Sequence, residues 1–220
     1  SLRVRADGSV TGYRETRGWA PGRQLYFAFR FSAPMTSHEL VNREADIPYK
    51  GFKGPAANPG GVDAVAGKQL EGAFEFGKLQ SSLLVKVAIS TVSEANAIAN
   101  LDADGKGWDF DAQHATAKRD WQQALSAIDV DAPADVRTSF YTAMYHAMIS
   151  PNLAMDANGE YRGPDHAVHT AKDFAFYSSW SLWDVYRAQM PLMAFIQPPR
   201  RINDFVSSLV AAQRASPYGI

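Results

Sequence analysis

The chain contains no cysteine. That excludes disulfides and thiolate-bound metal, and it fits either a cytosolic or an exported protein. Net charge is almost absent, at −1 over 220 residues, so there is no basic field to attract nucleic acid. No apolar run approaches the ~18 residues that a membrane span requires. No GxSxG, P-loop, dinucleotide fingerprint or HExxH occurs, and no spacing identifies a nucleophile with its base. What remains is ordinary globular material, 46% hydrophobic and 20% charged, enough for one large domain or parts of two. No signal peptide is visible. The opening SLRVRADGSVTGYRE reads as the middle of a β-rich region, and the chain stops just after a strong helical pattern, so both ends read as cuts.

The hydrophobic period changes once along the chain. Around Asp7-Gly8 two short extended runs predict a hairpin. From Gln24 to Ser32, Leu25, Phe27, Phe29 and Phe31 alternate with Tyr26, Ala28 and Arg30, as in a half-buried antiparallel strand. GFKGPAANPGG at 51–61 is a Gly/Pro loop inside a patternless stretch at 36–70. GAFEF at 72–76 and SSLLVKVAIS at 81–90 read as strands, the second well buried in a sandwich. At Thr91 the period becomes helical. Ser93 is a cap for SEANAIANL. Asp109 caps a helix whose apolar stripe is Phe110, Ala117, Trp121, Leu125 and Ile128. A third helix starts near Pro133, with Val136, Phe140, Met144 and Met148 on a stripe widened by Tyr141, Tyr145 and Ile149, and so predicted to be buried against several neighbours. A last helix covers 201–215, with Asn203 or Asp204 near its start. Strands followed only by helices argue for an all-β part and an all-α part.

Between these helices lies YSSWSLWDVYRAQMPL, residues 177–192. On one helix, ending or kinking near Pro191, Trp180, Trp183, Asp184 and Arg187 share a face, while Leu182, Val185, Tyr186 and Met190 dock the other. Two readings follow. One is an Asp184–Arg187 ion pair flanked by core tryptophans. The other is sugar recognition, since carboxylate and guanidinium bracket vicinal hydroxyls and an indole covers a C–H face. His166 and His169 beside Asp165 lack the spacing of a helix-borne metal pair and read as a surface loop. DADG at 102–105 and DANG at 156–159 lack full calcium-loop spacing and are better explained as turns. His146, in an apolar helix, reads as a core histidine. No metal ligand is assigned within the chain.

Several blocks, in order, resemble glycoside hydrolase family 92. They are LVKVAISTVSEANAIANL at 84–101, WDFDAQHATAKRDWQQAL at 108–125, FYTAMYHAMISPNLAMDANGEYRGPD at 140–165, YSSWSLWDVYRAQMPL, and QPPRRINDFVSSL at 197–209. Residues 10–36 fit more loosely. The resemblance implies a multi-domain β + α chain: an antiparallel β-sandwich part at 1–90, a helical linker at 91–131 and the first helices of an (α/α)6 toroid at 132–220. It implies part of a calcium-dependent, inverting exo-α-mannosidase, many relatives cleaving α-1,2-linked mannose from N-glycans or yeast mannan. The active site would lie where the domains meet, with residues 12–24 and 36–70 near it. Trp183-Asp184-x-x-Arg187 matches the family's WDxxR, so Asp184, with Trp183 and Arg187, is expected to hold the terminal mannose. Val185 departs from the family's small residue or threonine. The family's acid, base and calcium ligands lie well C-terminal to this helix, and the chain ends 33 residues after Arg187. No catalytic residue is therefore assigned, and the expected partners are mannose-containing glycans and a missing C-terminal part. The family implies a periplasmic or extracellular location. The rival readings are a non-catalytic carbohydrate-binding or assembly module of the same fold, and a relative acting on another glycoside.

Overall fold

The computed structural model describes residues 1–17, 22–46 and 62–218. It divides into two compact units, Ser1–Trp108 with Asp156–Asn158, and Asp109–Met155 with Gly159–Ile220. The Gly/Pro loop at 51–61 lies outside the described residues, as does much of the 36–70 stretch.

The first unit holds strands β1 (Leu2–Val4), β2 (Val10–Thr16), β3 (Arg23–Phe31), β4 (Ser37–Asn42), β5 (Ala64–Val65), β6 (Leu70–Glu75) and β7 (Val85–Ser90), and helix α1 (Glu94–Asp104). The hairpin at Asp7-Gly8 forms. Gly8 takes the positive φ of 76°, and the Asp7 carboxylate accepts from the Ser9 amide at 3.1 Å and its hydroxyl at 2.6 Å. The sheet runs β5-β1-β2-β3-β7, and β4 pairs with β6 in a second sheet; all these pairings are antiparallel.

The alternation in β3 is used on both faces. Ala28 is completely buried beneath α1, against Ala97 and Leu101. On the opposite face Phe27 stacks on Phe29 at 5.0 Å, and Phe31 meets Phe74 of β6 at 5.7 Å and Phe76, just past that strand, at 4.8 Å, so the second sheet packs on this face at Phe31. Gly12 is a close approach: a Cβ there would lie 2.7 Å from the Phe27 ring.

Strand β7 departs from expectation. Val85, Val87 and Ile89 are 50%, 59% and 56% exposed. They register opposite Phe31, Phe29 and Phe27, on the sheet's phenylalanine face. β7 is the last strand in the sheet order, and α1 covers its Lys86–Ala88 side, so an edge position leaves the valine face uncovered among the described residues.

Helix α1 is capped as predicted. Ser93 Oγ accepts from the Asn96 amide at 3.0 Å, and the Gly105 amide donates back to Leu101. At its first turn the Glu94 carboxylate accepts from the buried Thr11 hydroxyl at 2.7 Å. Asp156, also buried, accepts from Ser90 Oγ at 2.7 Å and from the side-chain amides of Asn96 and Asn100, both at 2.8 Å. Turn chemistry alone did not anticipate this role for the DANG stretch.

The second unit contains α2 (Phe110–Leu125), α3 (Ala134–Met148), β8 (Asn152–Leu153), β9 (Glu160–Arg162), β10 (Val168–Thr170), β11 (Tyr177–Ser178), α4 (Leu182–Val185), α5 (Gln189–Ile196) and α6 (Pro199–Arg214). Asp109 caps α2 by accepting from the Ala112 amide at 2.9 Å. Trp121 of α2 meets Tyr145 of α3 at 4.5 Å, and Tyr141 hydroxyl donates to the Ile128 carbonyl at 3.1 Å.

Three expectations fail here. Phe110 is 68% exposed, and Ile128 falls beyond the end of α2. On α3, Met144 is buried, but Val136, Tyr145 and Ile149 are 49%, 39% and 44% exposed, and His146 is exposed rather than core. The stripe is wider than the contacts that the described residues supply. Helix α6 starts at Pro199, two residues before the expected 201: proline is tolerated at the first helical position, where its missing N–H would have no partner anyway.

Candidate functional site

Residues 177–197 do not form one helix. Tyr177–Ser178 is strand β11, paired with β8; Ser179 has φ 68°; α4 is a single turn; residues 186–188 break it; α5 then begins at Gln189. The break comes before Pro191, which sits in the first turn of α5, where its ring meets no preceding helical carbonyl. Gln189 fixes that start, its amide donating to the carbonyls of Ala147 at 2.7 Å and Ser150 at 2.9 Å.

The break separates residues that a continuous helix would have aligned. Trp180 precedes α4 and is half-buried. Its indole N–H donates to the Tyr177 carbonyl at 3.0 Å, and its ring meets Phe205 of α6 edge-on at 5.4 Å. Phe205 also meets Tyr177 at 4.8 Å. The buried Ser208 hydroxyl accepts from the Tyr177 amide at 2.8 Å, so α6 holds both ends of the segment leading to the turn. Trp183, by contrast, is 85% exposed. The predicted docking face is not one either: Leu182 is 44% and Tyr186 56% exposed, while Val185 and Met190 are half-buried.

Asp184 and Arg187 do not pair; among the described residues Asp184 has no ion pair. The Ser181 hydroxyl donates to the Asp184 carboxylate, and the Asp184 amide donates to the Ser181 carbonyl at 2.9 Å. The carboxylate is thus held on the turn by a neutral donor and keeps lone pairs facing solvent. Arg187 Nε donates to the Tyr186 hydroxyl at 2.7 Å, with the guanidinium 5.5 Å from that ring's centre. Its remaining N–H groups stay available. The turn therefore presents an indole, a carboxylate and a guanidinium, the chemistry that suits a polyol with one apolar face.

The other candidates fall elsewhere in this unit. His169 Nε2 lies 2.9 Å from Asp165 Oδ2, across the loop of the β9–β10 hairpin, with its ring 5.6 Å from that of Tyr161. That hydrogen bond holds the Asp165 carboxyl below the usual carboxylate range. Burial, reinforced by the Asp165 charge, pushes the Tyr161 phenol up. His166 takes φ 61° in the loop. Among the described residues no three His, Asp or Glu side chains converge to hold a metal ion. A cleft of about 310 Å³ is lined by residues including Trp121, Pro151, Tyr177, Arg201 and Phe205, but by none of Trp183, Asp184 and Arg187. Among the described residues no helix is long and apolar enough to cross a membrane.

Comparison with known proteins gives a consistent set of likenesses. Residues 96–219 match the glycosyl hydrolase family 92 catalytic domain, and residues 1–90 match the family's N-terminal domain. The structure of the family GH92 alpha-mannosidase BT3965 from Bacteroides thetaiotaomicron is similar over 100% of this chain, at 29% identity and a TM-score of 0.86. The same protein in complex with mannoimidazole gives the same identity and TM-score. The GH92 family glycosyl hydrolase ccman5 is similar over 96% of this chain, at 25% identity and a TM-score of 0.79. This chain spans 29%, 28% and 27% of those three chains, less than a third of each. A search of curated proteins finds no match.

Proposed function

The chain belongs to glycosyl hydrolase family 92, and on that premise we propose that it forms part of an inverting, calcium-dependent exo-α-mannosidase. Its substrates would be glycans ending in mannose, α-1,2-linked mannose foremost, met in the periplasm or outside the cell. The observation that carries this reading is the solvent-facing turn with Trp183, Asp184 and Arg187, within the residues matched to the catalytic domain. The likeness to an alpha-mannosidase solved with mannoimidazole supports the sugar chosen. We assign residues 1–90 to a β-sandwich, 91–131 to a helical linker and 132–220 to the start of an (α/α)6 toroid.

Each side chain then has a stated task. Asp184 accepts hydrogen bonds from two neighbouring hydroxyls of the terminal mannose, its orientation set by Ser181. Trp183 covers the apolar C–H face of the ring. Arg187, steadied by Tyr186, donates from its free edge to a further hydroxyl. These residues bind and orient. Inverting hydrolysis also needs an acid on the leaving oxygen and a base on the attacking water, and both are proposed to lie beyond these 220 residues. Among the described residues no three His, Asp or Glu side chains converge on a metal ion, and the calcium ligands are proposed to lie outside these 220 residues as well.

The test is Asp184→Ala in the complete enzyme. Losing charge-assisted hydrogen bonds worth about 1.5–3 kcal/mol lowers kcat/KM on mannosides by roughly 10–150-fold. The unfolding midpoint should stay put, because Asp184 is exposed and its hydrogen bond to Ser181 is a solvent-exposed one. Unchanged kcat/KM would remove Asp184 from the site. A wild-type protein that binds mannose but hydrolyses no mannoside would replace the enzyme with the carbohydrate-binding module.

A further inference from the structure

We propose that Asn158 is a site of spontaneous deamidation, which converts it to aspartate and isoaspartate in the turn between the buried Asp156 and strand β9. This is independent of the sugar-binding turn.

Among the chain's asparagines, Asn158 alone is followed by glycine. The fold requires that glycine. Gly159 has φ 84°, and a Cβ there would also come within 3.4 Å of the Ala171 carbonyl oxygen. With no side chain at 159, nothing on that residue shields its amide nitrogen from the neighbouring Asn158 side chain. Asn158 itself is exposed, so water and hydroxide reach it.

The chemistry needs nothing but water. The deprotonated Gly159 nitrogen attacks Cγ of Asn158; an N–Cγ bond forms, the Cγ–Nδ2 bond breaks, and ammonia leaves. The succinimide that results is opened by water. Opening at Cγ gives aspartate; opening at the main-chain carbonyl gives isoaspartate, in which the backbone runs through the side chain and is one methylene longer. The net change is one water consumed and one ammonia released, with no oxidant or reductant.

The turn is pinned on both sides of that bond. The Ala157 amide donates to Asn100 Oδ1 at 2.7 Å, beside the Asp156 hydrogen bonds, and the Gly159 carbonyl accepts from the Ala171 amide at 2.9 Å. Isoaspartate adds a methylene to the backbone between these two hydrogen bonds. Deamidation at Asn158 therefore alters the backbone as well as the charge.

The experiment ages the purified chain at body temperature and mildly alkaline pH. Tryptic peptides are then mapped by mass, and isoaspartate is labelled with protein isoaspartyl methyltransferase. The peptide ending at Arg162 should gain the mass of an amide-to-acid change at Asn158, faster at higher pH, while Asn152, exposed but followed by leucine, stays intact. Asn158→Ser should abolish the label in the peptide ending at Arg162; Asp7-Gly8 and Asp104-Gly105, which can also isomerise, fall in other peptides. An Asn158 that survives in the folded chain yet reacts in urea would overturn the proposal, since the fold would then be protecting it. Undiminished label in that peptide of Asn158→Ser would overturn it as well.

Discussion

Replacing Asp156 by alanine should be among the most damaging single changes in the first unit. Asp156 is 5% exposed and accepts three hydrogen bonds, from Ser90, Asn96 and Asn100. A hydrogen bond to a charged group contributes about 1.5 kcal/mol or more, and a donor left buried without an acceptor costs about 1–3 kcal/mol. Water entering the vacated space recovers part of this, which leaves a loss of about 4 kcal/mol for Asp156→Ala. Domains are stable by about 5–15 kcal/mol, so this is a large share. With a urea m-value near 2 kcal/mol/M, the midpoint drops by about 2 M. Asp156→Asn is milder. Its carbonyl can keep Ser90 and Asn96, but its NH2 then faces the NH2 of Asn100, at a cost of about 1–2 kcal/mol. Urea titrations of the three proteins, followed by tryptophan fluorescence and far-UV circular dichroism, measure both steps. If Asp156→Ala moved the midpoint by less than Asp156→Asn, or lost under 1 kcal/mol, the three donors would not depend on that carboxylate and the reasoning would fail.

Three further predictions concern the second unit. Trp180→Ala should lower stability by about 2–3 kcal/mol, less than for a fully buried tryptophan, by losing the Phe205 contact and the bond to Tyr177. Trp183→Ala should leave stability within about 0.5 kcal/mol and instead raise KM for mannosides in the complete enzyme; equal thermal shifts in the two variants would contradict this division of labour. His169→Ala tests the acid side. The folded Asp165 carboxyl is held low chiefly by the His169 hydrogen bond, so its contribution is complete above the ordinary carboxylate range and is lost as pH falls through the lowered value. Removing His169 should flatten that acid limb in a melting-temperature series; an unchanged limb would show that the pair carries no linkage.

Much of the fold was legible in local chemistry. The Asp7-Gly8 turn, the Ser93 and Asp109 caps and the two faces of β3 each follow from a few adjacent residues, and each formed as read. The ordered blocks from 84 to 209 likewise carried the family. Burial was less legible. Val85, Val87 and Ile89 alternate like a core strand, yet periodicity states only that one face is apolar, not what covers it. Asp156 was invisible for a related reason: its donors lie 56 to 66 residues away, and no local pattern encodes them.

The candidate site shows most clearly where periodicity stops being informative. Trp180, Trp183, Asp184 and Arg187 have helical spacing, and a helix would have put both tryptophans on one face. The chain instead spends Trp180 on α6 and frees Trp183, because Ser179 adopts a positive φ and β11 is tied to Ser208. The local cue was available in the sequence: Ser-Ser-Trp-Ser places four short or bulky poor helix formers where a helix would begin, and Ser181 can hold Asp184 without one. The orientation of the carboxylate therefore rests on a hydroxyl three residues earlier and on strand anchoring, not on helix register. A change that preserved helix propensity but removed Ser181 or Ser208 would disturb the proposed sugar contact more than one that weakened α4 itself, since α4 contributes only a single turn.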